Sequence, residues 1–298
     1  MKILIGHDGS QSADAALADL QRAGLPNEAE ALIVSAADVM LAPATPGYEL
    51  AAEALMSRRV VSGLLYAQRQ TERALKDAKD IAARARDQVR SYFPHWSVRA
   101  EALAGTAAEE LIGKANDWKP DLIVVGSHGR SAVSRFVLGS VSKKVVTDSE
   151  HSVRVSRSNS EKTRDMPPRV VLGVDGSDEA EQAVRAVGSR VWPHGTEVRI
   201  ITVDNDDSPV AAAHMVAWAE NALHEIGLNV SVTEDKGDPR RVLIEQAQAW
   251  DADSIFVGGR RFTGAFERFQ LSSVATALVT KAHCSVEVVR NRPINEIN

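Results

Sequence analysis

A single cysteine, Cys284, is present, so no disulfide can form within the chain, and such a composition suits a reducing compartment. The C-x-x-C spacing of zinc and redox sites is missing with it. Aromatic residues make up just 5% of the sequence, yet hydrophobic residues reach 44%, enough for ordinary packed cores. Basic residues are not in excess: the net charge is −5. That balance disfavours non-specific nucleic-acid binding, which needs a basic face. No apolar run approaches the roughly 20 residues that cross a bilayer. The start, MKILIGHDGS, runs straight into a strand pattern with no signal-peptide shape. These absences together describe a cytoplasmic protein without membrane or nucleic-acid partners.

What is there is a repeat. Residues 3–16 read ILIGHDGSQSADAA and residues 171–184 read VLGVDGSDEAEQAV, so Asp8 matches Asp175. Further on, VVGSHGRSAVSRFVLGSVS at 124–142 matches FVGGRRFTGAFERFQLSSVA at 256–275. Gly126 falls on Gly258, but Gly129 falls on Arg261 and Gly139 on Ser272. A repeat of this length means two copies of one domain, as a chain of 298 residues allows. Loss of glycines from the second copy implies that the two do different jobs.

Each half alternates β-branched runs with helical stretches. In the first half, strands are expected near 2–6, 31–36, 96–102, 121–127 and 152–155, and helices near 12–22, 50–92, 107–117 and 139–148. In the second, strands are expected near 169–174, 197–203, 229–234, 253–258 and 285–289, with helices near 178–188, 209–226, 239–250 and 271–281. Alternating β and α with continuous apolar strands predicts an α/β fold: two tandem doubly wound domains, each a five-stranded parallel sheet with helices on both faces. The polar segment 156–168, ending in Pro-Pro, reads as a linker between domains at 1–155 and 169–290, and 291–298 as a tail. Asp8 to Asp175 and Ser35 to Thr202 share one offset, whereas Trp118 to Trp250 has a shorter one. The first half therefore carries an insertion, 38–70, which is either a longer helix capping the domain or a cover for a site or partner surface.

The chemistry concentrates in Gly126-Ser127-His128-Gly129, nine further residues, then Gly139-Ser140. The motif follows an expected strand and ends at an expected helix start. Glycines let backbone N–H groups reach phosphate oxygens, and a helix N-terminus adds unpaired donors and a favourable dipole. Ser140 either caps that helix or donates to a phosphate. Ligands of doubly wound sheets bind beyond the carboxyl ends of the strands, which is where this loop falls. The spacing fits neither a Walker A loop nor the dinucleotide fingerprint.

On the strand-then-DGS openings (Ile3–Ser10 and Val170–Ser177), the Gly126-x2-Gly129-x9-Gly139-Ser140 spacing and the Arg135–Val141 run, the chain resembles the universal stress protein family, as a tandem of two domains. The resemblance implies a Rossmann-like fold, ATP or another adenine nucleotide as cofactor, and a stress-response or signalling role through protein partners; Mg²⁺ is expected on the phosphates because a charged triphosphate seldom binds without a counter-cation. It implies that Gly126, Gly129, Gly139 and Ser140, with Val141 after them, hold phosphates and ribose. Asp8 would sit by the adenine, and Ser35 and Ala36 would offer backbone to the base. His128 and Arg130 lie inside the loop, where each is either a phosphate contact or a solvated residue; a guanidinium suits a multi-oxygen anion. Asp8 has a structural alternative, an Asx-turn or N-cap opening the first helix. Family homodimers pair through their fifth strands, a contact that a tandem can make within one chain, with Arg154 and Glu287 facing each other; a homodimer of the whole chain stays open.

Weaker candidates remain. Cys284 beside His283 resembles a nucleophile pair, but neighbours on an extended segment point to opposite faces, so a core cysteine is expected. His7 flanks Asp8. The acidic run 204–207 reads as a solvated loop or a cation site. The phosphate loop itself carries no Asp or Glu as a catalytic base, which leaves slow ATP hydrolysis to a bound metal. Three functions stand side by side: a nucleotide-binding stress module, an ATP-dependent enzyme, and a ligand-free interaction scaffold.

Overall fold

The computed structural model describes residues 1–38, 58–129, 138–157, 166–204, 209–259 and 272–291. Arg130, Arg260, Arg261 and Glu267 lie outside these residues, as do most of the 38–70 insertion, the 156–168 linker, the acidic run and the tail.

The first half runs β1 (Lys2–Gly6), α1 (Gln11–Asp19), β2 (Glu30–Ala37), α2 (Arg58–Tyr92), β3 (Ser97–Ala104), α3 (Ala107–Trp118), β4 (Leu122–Gly126), α4 (Ser140–Asp148) and β5 (Ser152–Ser156). The second runs β6 (Arg169–Gly173), α5 (Asp178–Gly188), β7 (Glu197–Asp204), α6 (Pro209–Glu225), β8 (Asn229–Lys236), α7 (Pro239–Ala249), β9 (Ser254–Gly258), α8 (Ser273–Lys281) and β10 (Ser285–Val289). The sequence pattern explains both halves alike. Ser10 and Ser177 each accept a hydrogen bond from the N–H three residues on, 3.2 Å in both cases, and so start α1 and α5. The first helix is shorter than expected, ending at Asp19 before a single 3₁₀ turn, Leu20–Arg22.

The ten strands form one sheet in the order β3-β2-β1-β4-β5-β10-β9-β6-β7-β8. Pairing within each half is parallel, and β5 meets β10 antiparallel. The fifth strands thus join the halves, as expected, and fuse them into one continuous sheet. Arg154 lies opposite Glu287 in the ladder.

Side chains alternate across the sheet, and this sorts the core. Val153, Val155, Val286 and Val288 face one side, where an apolar cluster runs unbroken under α3, α4, α7 and α8. On the other side two clusters stay separate, one under α1 and α2 and one under α5 and α6. Between them sits Arg154, fully buried. Its guanidinium donates to both Asp19 carboxylate oxygens, at 2.8 and 3.2 Å, and to Glu287 at 3.4 Å. Glu287 also receives Arg190, whose other branch donates to the Ala23 carbonyl at 2.8 Å. Burial acts to lower the Arg154 pKa, but Asp19 and Glu287 outweigh it and hold it above the ordinary arginine value. Burial wins at Arg190, which is lowered despite Glu287. Beside this network Gly24, at φ +63°, packs on Trp192: a Cβ there would lie 2.6 Å from the indole.

Two arginines also cross the joint to cap helices. Arg157 donates to the Val279 carbonyl of α8 at 2.7 Å. Arg290 donates to the Val146 carbonyl of α4 and to His151. Cations at helix C-termini complement the dipole, so each half fastens the last helix of the other.

Candidate functional site

The site forms where β1, β2 and β4 end. After β1 the chain turns through His7-Asp8-Gly9-Ser10 into α1. Gly9 takes φ +78°, the left-handed region that favours glycine. Asp8 Oδ1 accepts the Ser10 N–H at 3.0 Å, an Asx-turn, while Ser10 supplies the cap. Asp8 therefore fills the turn role of its two readings, and it also lines a cavity of about 810 Å³.

The second wall follows β4. Gly126 is followed by Ser127-His128-Gly129, and the Gly139 N–H returns to the Ser127 carbonyl at 2.8 Å. Ser142 Oγ donates to the Gly126 carbonyl at 2.6 Å. The His128 N–H donates to Ser12 Oγ at 3.4 Å, and its Nδ1 lies 2.9 Å from Ser127 Oγ. Helix α4 begins at Ser140, with Gly139 at the N-cap and so no side chain capping it. Ser140 is the first helical residue rather than the cap. The helix start faces the cavity with Gly139, Ser140 and Val141.

Asp8, Ala36, Gly126, His128, Gly129, Gly139, Ser140 and Val141 are thus brought to one cavity. Ser35 is not: its side chain is buried within the sheet and Ala36 and Ala37 take the rim. Sequence reasoning missed the wall made by α2, where Ala74, Ala78 and Ile81 stand at helical spacing on a charged helix. That spacing was a readable signal, i, i+4, i+7; its direction toward a ligand site was not. Asp38 and Asp77 also reach the lining. Among the described lining residues there are three carboxylates, Asp8, Asp38 and Asp77, and no lysine or arginine.

His7 closes the floor. It is 5% exposed. Its Nδ1 accepts the Gly9 N–H at 3.2 Å, and its Nε2 lies 3.2 Å from Asp14 Oδ1. Burial lowers its pKa below 6.5, against the pull of Asp14 and Asp8.

The glycines divide by cause. A Cβ on Gly126 would lie 3.1 Å from the Ser12 carbonyl, and one on Gly258 would lie 2.4 Å from the Glu179 carbonyl carbon. Both glycines let a strand end pack on helix backbone, and both halves keep them. Gly129 and Gly139 are different. Neither has positive φ, which removes backbone strain as the reason for glycine. A Cβ on Gly129 would lie 2.9 Å from Asp8 Oδ2, and one on Gly139 would lie 3.3 Å from His128 Cα. A side chain at these positions would meet the movable Asp8 carboxylate and the His128 backbone instead.

The second half departs here. Ser272 adopts φ −56°, ψ 150°, close to the −65°, 152° of Gly139, so it carries no strain. It caps α8, its Oγ accepting the Ala275 N–H at 3.2 Å. The helix start that is uncapped in the first half is thus occupied in the second. A Cβ on Gly176 would lie 2.8 Å from the Ala212 N, so α6 backbone closes on the turn, whereas the matching Gly9 meets the Ile81 side chain.

Fold and cavity define a doubly wound α/β protein with a ligand-sized site at its strand ends. The chain belongs to the universal stress protein family: the family's model matches residues 1–157 and 166–290. It is similar to a universal stress protein of Mycolicibacterium smegmatis, 24% identical over 310 residues, with 97% of each chain covered. A Mycobacterium tuberculosis universal stress protein is 24% identical over 311 residues, covering 97% of this chain and 94% of its own. In fold it resembles a universal stress protein from Archaeoglobus fulgidus, with a TM-score of 0.67 at 19% identity, covering 97% of this chain and 98% of that one. No helix among the described residues is long and apolar enough to cross a membrane.

Proposed function

We propose that the first half binds an adenine nucleotide in this cavity, ATP with Mg²⁺ on its phosphates, and that the second half serves as its structural partner in a stress or signalling role exercised through other proteins. One observation carries the reading. The uncapped start of α4 opens on the same cavity as Asp8. An uncapped helix start suits phosphate oxygens, and carboxylates suit the hydroxyl and amine donors of ribose and adenine. The apolar side of the cavity, Ala74, Ala78, Ile81 and Leu111, suits the flat face of a base. Among the described residues no three His, Cys, Asp or Glu side chains gather as a metal group. Mg²⁺ enters this proposal through the phosphates of the ligand alone.

Calorimetry on the full chain with ATP, AMP and cyclic AMP tests the reading. Wild-type protein is expected to bind ATP most tightly. Gly139→Val places a branched side chain against the His128 backbone and is expected to abolish binding with the circular dichroism unchanged. Gly129→Ala displaces the Asp8 carboxylate and is expected to weaken binding by about tenfold or more, roughly 1.4 kcal/mol. Undiminished ATP affinity in both variants rejects the site.

A further inference from the structure

We propose that His7 is a positioning residue of the nucleotide site, holding the turn that presents Asp8 only while its imidazole is neutral, so that the ligand is released in acid. The proposal rests on the reading of the cavity as a nucleotide site. The geometry fixes the ring's state. Gly9 N–H is a donor and nothing else, so Nδ1 at 3.2 Å must offer its lone pair. The proton then sits on Nε2, which donates to Asp14 Oδ1 at 3.2 Å. A second proton on the ring would set Nδ1–H against the Gly9 N–H. One of the two must move, and His7 is pinned by its own N–H on the Val34 carbonyl at 2.9 Å. The turn is the part that yields. It carries Asp8, whose Oδ2 stands 2.9 Å from the place a Gly129 side chain would take. Loss of the Gly9 contact therefore shifts the carboxylate relative to the phosphate loop.

The second half shows what the turn looks like without this device. Val174 stands where His7 stands, and Ser177 braces Asp175 Oδ1 with both its N–H, at 3.1 Å, and its hydroxyl, at 2.5 Å. The charged groups bearing on His7 are Asp14 of α1, Asp8 of the turn and Arg84 of α2. Burial and Arg84 oppose protonation, and the two carboxylates favour it. The balance keeps the ring neutral at neutral pH and places its titration below 6.5.

The test is calorimetry on the full chain from pH 7.5 to pH 5, with ATP and with adenosine, which has no phosphate to titrate. Wild-type affinity for both probes is expected to fall by about tenfold for each pH unit below the His7 pKa. His7→Asn keeps an oxygen near the Nδ1 position and does not titrate. It is expected to bind more tightly than His7→Val at pH 7.5, with affinity that no longer changes with pH. A wild-type affinity flat from pH 7.5 to pH 5, or His7→Asn losing affinity as steeply as wild type, overturns the role of His7. No binding of either probe by wild type at pH 7.5 rejects the nucleotide reading itself and this role with it.

Discussion

Gly126 and Gly129 stand in one short loop and are glycine for different reasons. The first packs a strand end on α1 and has its counterpart in Gly258; the second makes room beside Asp8 and has none. Their difference separates a glycine that packs strand on helix from one that leaves space at the cavity. Cys284 is the opposite case, a reactive side chain without a site. It is buried, and burial pushes its thiol from 9.0 up to about 12, against the nearby Arg157. The native thiol is therefore expected to ignore a disulfide reagent at pH 8 and to react once the chain is unfolded; rapid reaction of folded protein contradicts this burial. The sign of its effect on stability follows. Above 9.0 the unfolded thiol ionises while the native one does not, so stability falls from there to about 12. His7 acts at the other end. Its folded pKa is lowered, so as pH drops below 6.5 the unfolded chain takes a proton first and the native state loses stability until the folded ring titrates as well.

Among the elements, β5 and β10 decide how the halves meet. The sequence shows both as short valine runs interrupted by one charge, Arg154 or Glu287. That the charges face each other was legible once the two halves were aligned. Asp19 and Arg190 as further members were not, because they arrive from a helix end and a turn that only tertiary packing brings there. Arg154→Ala leaves Asp19 and Glu287 buried without their shared guanidinium. Removing one partner of a buried pair costs about 3–5 kcal/mol, and urea unfolding is expected to show a loss of that size. A loss under about 1 kcal/mol, as for an exposed pair, contradicts the network's role. Helix α4 shows a second limit of the sequence. The Gly139-Ser140 spacing placed the helix start within one residue, but it left Ser140 open as either the cap or a phosphate donor. The N-cap is Gly139, and the free helix start follows from that one-residue difference. Helix α2 shows a third: its 35 residues, against 17 in α6, bring Ile81 to the site in mid-helix. No local signal in a charged helix says which of its faces a ligand will use.

At the scale of the whole molecule, two copies of one fold share a sheet and one continuous core but differ at their strand ends. The glycine losses that marked the second copy in the sequence correspond to physical differences other than strain. Ser272 caps the helix that Gly139 leaves open, and α6 backbone lies on Gly176 where a side chain lies on Gly9. Arg290 reaches from the second half to the far end of α4, the helix whose start faces the cavity. Among the described residues, the second half thus fastens the helix that opens on the first half's cavity and caps its own counterpart, α8, with Ser272. Binding stoichiometry on the intact chain, by calorimetry with ATP at pH 7.5, tests this asymmetry most directly. The account predicts one nucleotide per chain, lost in Gly139→Val. Two equal sites per chain, or one site that survives Gly139→Val, would contradict it.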